Sequence, residues 1–324
     1  MRLIVDLLEE HDISFEIYER PWVNFAHNRN EALETARKRA DWVLFIDADE
    51  QFTAQDESLD VESLLNTNLS GHDAYMLKCV YGGWEYWRNA LVSSRLPFRW
   101  EGVIHEYVTC DEPHKWGNLE AGPRIFVKHD GARGKNPDTY KRDIEVLEKA
   151  VADEPDNARY VFYLAQSYRD AGMPEKARQY YSRRAIMGGF AEEAWFADFQ
   201  AALLVTPGDK ENYLLDVWRK RPWRAEPLIE MCKLLREEKR FDEVMVWATV
   251  AALMPVSKDR LFIDVGAYRW KAWDEIIVAG WYAKLPHARD TAAGYAGVMR
   301  INMAEVPLGE HPRIRDNIGM YERL

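Results

Sequence analysis

Asp47 and Asp49 bracket Ala48 at the carboxyl end of the apolar run Trp42 to Ile46, and Glu50 follows at once. Two carboxylates one residue apart can face a hard divalent cation whose other positions take diphosphate oxygens and water. The carboxyl ends of strands are also where open α/β sheets bind their ligands. The competing reading is structural, with one Asp capping a following helix and the other acids solvated. An EF-hand calcium loop is excluded, because Gln51 and Phe52 stand where that loop needs a ligand and a glycine. A phosphatase of the haloacid dehalogenase type would place Thr or Val where Gln51 stands, and no clear downstream acidic pair is present.

The elements that must position these acids follow from hydrophobic patterning. Ile13 to Trp22 is rich in β-branched and aromatic residues and reads as a strand that stops near Pro21. His27 to Ala40 carries helix formers with Ala32, Leu33 and Ala36 on one face. The apolar run before the acids reads as a strand buried on both faces, so strand, helix and strand predict a βαβ crossover with a parallel pair. Ala74 to Trp87, Leu91 to Trp100, Gly102 to Cys110 and Pro123 to Gly131 follow as extended segments with little helix between them. An α/β half thus gives way to a more antiparallel one.

From about Pro137 the pattern is helix after helix. Leu164, Ala165, Tyr168, Gly172, Ala177 and Tyr181 fall where a tetratricopeptide helix-turn-helix places its small and large packing residues. A second, weaker copy aligns Val244 with Ala177, 67 residues on, close to two repeats of about 34 residues each. The stretch between them fills one atypical repeat, and about three stacked units with a terminal capping helix make a solenoid. The expected architecture is α/β plus all-α, with domains at 1–136 and 137–324.

Composition bounds the function. The 324 residues suit two domains, and a net charge of −11 gives the chain as a whole no reason to bind nucleic acid. Cys79, Cys110 and Cys232 are widely spaced and in no metal-ligand pattern, which favours buried structural thiols in a reducing compartment. The start, Met1 to Asp12, reads neither as a signal peptide nor as a membrane span, so a cytoplasmic location is expected.

The ordered series ERPWVNFAHNRNEAL, ADWVLFIDADE, FRWEGVIHEYV, KHDGARGKNPDTYKRDIEVLEKAV and PDNARYVFYLAQSYRDAG resembles family-2, GT-A-fold glycosyltransferases that carry C-terminal tetratricopeptide repeats. The sublancin S-glycosyltransferase is related to this group. The resemblance implies a nucleotide-sugar donor, UDP-linked by preference, a manganese or magnesium ion, and inversion at the anomeric carbon. It implies Asp47 and Asp49 as metal ligands with His129 closing the shell, Asp130 being the neighbouring alternative. A His ligand would favour manganese. Asn28, Arg29, Asp47 and Trp100 would hold the donor, Arg29 at diphosphate oxygens near a helix N-terminus and Trp100 as a sugar-stacking platform. Glu106 would be the catalytic base, with His105 beside it. On a strand, adjacent side chains point to opposite faces, so His105 and Glu106 share the site only if a bulge intervenes. The acceptor is open: a peptide, a protein side chain or another glycan.

The two strands with which such domains begin have no counterpart, Met1 to Ser14 matching only the helix that follows them. The expectation is either a truncated coding region or a separate chain, a complementing N-terminal segment or a second copy in a homo-oligomer, that supplies the missing strands. The alternative is a catalytically degenerate remnant that serves as a tetratricopeptide protein-binding scaffold.

Overall fold

The computed structural model describes residues 5, 6, 9, 10, 14–47, 49–53, 69, 71–81, 84–120, 123–127 and 139–322. Two compact units divide the chain, Met1–Thr139 and Tyr140–Leu324.

The first unit is strand-rich. Helix α1 (Phe25–Ala36) precedes strands β1 (Trp42–Leu44), β2 (Glu50–Thr53), β3 (Ala74–Tyr81), β4 (Trp84–Ser93), β5 (Arg99–Glu101), β6 (Tyr107–Thr109), β7 (Trp116–Asn118) and β8 (Arg124–Val127). The main sheet runs β1-β4-β3-β8-β2, with β7 also on β3, and β5 and β6 form a separate ribbon. Two predicted features differ. Residues 14–24 form no strand. Nor is β1 parallel to a neighbour: Trp42, Val43 and Leu44 pair antiparallel with Ser93, Val92 and Leu91 of β4. The parallel pairs are those of β3 with β7 and β8. Strand-like composition at 14–22 did not suffice because a strand exists only through a partner. The apolar run after Asp41 meets the β3–β4 hairpin instead.

Alternation along the strands splits the core between the two faces of this sheet. Val43, Ala74 and Val92 pack with Ala26 and Leu33 of α1 and with Phe98, Trp100 and Val108 of the β5–β6 ribbon. Tyr75, Leu77, Cys79, Leu91 and Ile125 form the other face. Helix α1 starts cleanly because the Asn24 side chain accepts from the His27 N–H at 2.8 Å, an N-cap.

The second unit contains α2 (Thr139–Asp153), α3 (Ala158–Asp170), α4 (Pro174–Ile186), α5 (Ala191–Leu203), α6 (Pro207–Lys220), α7 (Glu226–Glu237), α8 (Phe241–Leu253), α9 (Trp270–Tyr282), α10 (Ala288–Ile301) and α11 (His311–Gly319). From α3 to α10 each helix packs on the next, the nearest-neighbour pattern of a helical solenoid. The predicted repeat is visible in its details. Ala177 and Val244 are each the fourth residue of their helices, α4 and α8, and both are fully buried. The turn before each helix uses the same cap: Met173 N–H donates to Tyr168 O at 2.9 Å, and Arg240 N–H donates to Leu235 O at 2.9 Å. In both, the residue before it is left-handed, Gly172 at φ +75° and Lys239 at φ +60°. All three cysteines are buried free thiols, and no helix among the described residues is long and apolar enough to cross a membrane.

Candidate functional site

Four residues singled out from three motifs converge in the first unit. Arg29, on the first half of α1, donates from Nη2 to Asp47 Oδ1 at 2.6 Å and from Nε to Glu106 Oε1 at 2.7 Å. Its guanidinium carbon lies 4.7 Å from the centre of the Trp100 ring, a cation–π contact. Access is graded: the side chain of Glu106 is 11% exposed, that of Arg29 25% and that of Asp47 44%. Both pairings are charge-assisted, and only Glu106 is close to sealed from water.

Trp100 is buried, with Phe45 edge-on to it at 4.7 Å. It therefore backs the Arg29 guanidinium rather than lying open for a sugar to stack on. Asn30 fixes it: its Nδ2 donates to Trp100 O at 2.9 Å, and its Oδ1 accepts from the Trp100 N–H at 2.7 Å. Among the described residues the Trp100 indole N–H has no hydrogen-bond partner. Asn28 is engaged by the chain leading into α1, its Oδ1 accepting from Val23 N–H at 2.9 Å and its Nδ2 donating to Pro21 O at 2.9 Å.

The segment carrying His105 and Glu106 is a turn, not a strand. Gly102 at φ +110° and His105 at φ +54° reverse the chain between β5 and β6. A Cβ on Gly102 would lie 3.3 Å from Glu106 Cα, so the turn is tight as well as left-handed. A non-glycine residue at positive φ is a strained backbone held by its surroundings. The turn brings Glu106 to Arg29 and leaves His105 exposed.

The acids after β1 have divided roles. Glu50 accepts from Arg88 Nη1 at 2.5 Å and Nη2 at 2.7 Å, and its own side chain is only 3% exposed. It also accepts from the Asp47 N–H at 2.9 Å, while Glu50 N–H donates to Asp47 O at 3.0 Å. The Glu50–Arg88 pair thus holds the turn that presents Asp47. Burial works against the Arg88 charge, but its hydrogen bonds to Glu50 keep its pKa above the ordinary value. Burial pushes the neighbouring Cys79 thiol up and Tyr86 to about 12, so neither ionises near neutral pH. Asn30, Glu50 and Arg88 escaped the motif reading. The available signal was Arg88 as the one basic residue of the aromatic-rich β4 sequence.

Asp49 is half-buried in the same turn. His129 and Asp130 lie outside the described residues. No group of three or more His, Cys, Asp or Glu among the described residues could hold a metal ion. A cation would fit here only with Asp47 and Asp49 as protein ligands and oxygens of phosphate and water elsewhere.

No family model matches the chain, and no curated protein matches it. Among solved structures it is similar to a crystal structure of MamA, at 13% identity over 52% of this chain and 91% of that one, with a TM-score of 0.38. A second crystal structure of the MamA protein gives 14% identity, 48% and 78% coverage, and a TM-score of 0.37. These likenesses are too distant to assign a role.

Proposed function

We propose that the first unit is the donor-binding domain of a glycosyltransferase that moves a sugar from a nucleotide-sugar to an acceptor. The observation that carries this is the meeting of Arg29, Asp47, Trp100 and Glu106 from three of the motifs, the first bonded to both carboxylates. Asp47 and Asp49 would hold a manganese or magnesium ion, which when bound stabilises charge on the departing diphosphate. Arg29 would neutralise diphosphate oxygens with its planar fork. Glu106, sheltered from water, would take the proton from the acceptor hydroxyl as the new bond forms.

The test is transfer or hydrolysis of UDP- and GDP-sugars with manganese present. Glu106→Gln should lower turnover by about 10²- to 10⁴-fold while leaving donor binding intact. Unchanged turnover in that variant would remove Glu106 from the chemistry.

A second reading is a repeat scaffold whose transferase site no longer turns over. It is favoured by the pairing of both carboxylates with one guanidinium, and by exposed Phe190, Tyr213, Trp223 and Tyr282 in the helical unit, side chains suited to a protein partner. No turnover of any nucleotide sugar, together with a partner captured by the helical unit, would favour it.

A further inference from the structure

Arg29 stands where two functions need an empty carboxylate. Its Nη2 occupies Asp47 Oδ1 and its Nε occupies Glu106 Oε1, partners 18 and 77 residues away in the chain. Both nitrogens belong to one rigid plane, so the guanidinium cannot rotate off one acid and keep its geometry on the other. The ring of Trp100 supports that plane from one face. Of the three charged groups Asp47 is the most exposed and Glu106 the least, so a solute entering from water meets Asp47 first.

We propose that Arg29 is a displaceable internal counter-ion. It holds both acids in ion pairs while the site is unloaded, and it leaves both when a divalent cation takes Asp47 and a diphosphate offers the guanidinium a replacement anion. The inference rests on the transferase reading above and adds a coupling to it. A doubly charged cation competes better with the guanidinium at a half-exposed carboxylate when the guanidinium gains another anion, and diphosphate oxygens match its fork. Because the two hydrogen bonds share one plane, Arg29 frees the Glu106 carboxylate in the same movement. Glu106 is thus released to accept a proton only when the donor is in place, which disfavours idle proton transfer at an empty site.

The test measures Mn²⁺ alone, by the loss of its free electron paramagnetic resonance signal, in the full chain and in Arg29→Met, Arg29→Lys and Asp47→Ala. Circular dichroism and thermal unfolding confirm that each variant is folded. Removing the competing charge should tighten Mn²⁺ binding about fivefold in Arg29→Met, whereas Arg29→Lys, which keeps a charge beside Asp47, should stay within about twofold of the parent. UDP binding with Mn²⁺ present should move the other way, weakening about tenfold in Arg29→Met. Unchanged or weaker Mn²⁺ binding in Arg29→Met, with Asp47→Ala still abolishing it, would overturn the counter-ion and leave the metal site standing. Mn²⁺ binding that is absent from every chain, or that survives Asp47→Ala, would overturn both.

Discussion

The two units each contain an arginine that bridges two carboxylates and stacks on a tryptophan, and the pair differ in what surrounds them. In the first unit Arg29 joins Asp47 and Glu106 over Trp100. In the second, Arg224 donates to Glu226 at 2.9 and 3.0 Å and to Asp259 at 3.2 Å, with its guanidinium carbon 4.3 Å from the Trp195 ring. Arg224 also donates to Leu261 O at 3.2 Å and Phe262 O at 2.8 Å, and its side chain is fully buried. Five of its contacts tie the 259–262 loop and the start of α7 together. Among the described residues Arg29 has no such backbone ties in its pairing, and it remains open to water beside Asp47. The same chemical group therefore serves as a fixed joint in one place and as an exchangeable one in the other, and access to solvent makes the difference.

The largest expected effect tests the joint. Arg224→Met should cost about 3–5 kcal/mol, because it leaves Glu226 buried without its cation and takes from Asp259 one of its two arginines, Arg221 being the other. Denaturant unfolding would measure it, and a loss below about 1 kcal/mol would place Arg224 among ordinary surface pairs.

Asp259 sharpens the same point through pH. Burial works against its charge, but hydrogen bonds from Arg221, Arg224 and Trp223 outweigh that and hold its carboxyl below the usual range. A lowered folded pKa means stability present above the unfolded value of about 4 and lost as pH falls through the folded one. Asp259→Asn should be less stable than the parent at pH 7 and should lack this part of the acid-side loss. Parallel stability curves from pH 7 to pH 2 would contradict the linkage.

Arg29→Met should cost about 1–3 kcal/mol, less than Arg224→Met, since the Asp47 pair is nearly half exposed and solvent-screened while Glu106, 11% exposed, loses its cation. A loss as large as that of Arg224→Met would make Arg29 a structural joint.

The smallest effect lies in the repeat turn. Lys239 occupies at φ +60° the position that Gly172 fills in the first repeat, so Lys239→Gly should stabilise by about 0.5–1 kcal/mol through relief of left-handed strain, less the added chain entropy. Thermal unfolding would read it as a small rise in the midpoint.

What was legible in the sequence follows the range of the interactions. The helical repeats were readable at Leu164, Gly172 and Ala177 because helix packing and caps are set within a few residues and recur at fixed spacing. The strand unit was less so. Residues 14–22 have strand composition but no strand partner, and the pairing of Trp42–Leu44 with β4 is decided by the hairpin that comes later in the chain. Arg29, Asp47 and Glu106 were visible as motif members, yet their mutual bonding was not. Nor were Arg88 on Glu50, 38 residues apart, or Asn30 on Trp100, 70 apart, since only the folded chain brings these together. The left-handed turn at His105 was likewise hidden, because Gly102 alone does not announce it.

The most direct test of the central claim is titration calorimetry of UDP into the full chain with and without Mn²⁺, with Asp47→Ala as the control. A transferase site built on Asp47 predicts binding that requires Mn²⁺ and disappears in the variant. Equal UDP affinity in the variant, or no binding of UDP or GDP to the parent chain with Mn²⁺ present, would contradict it.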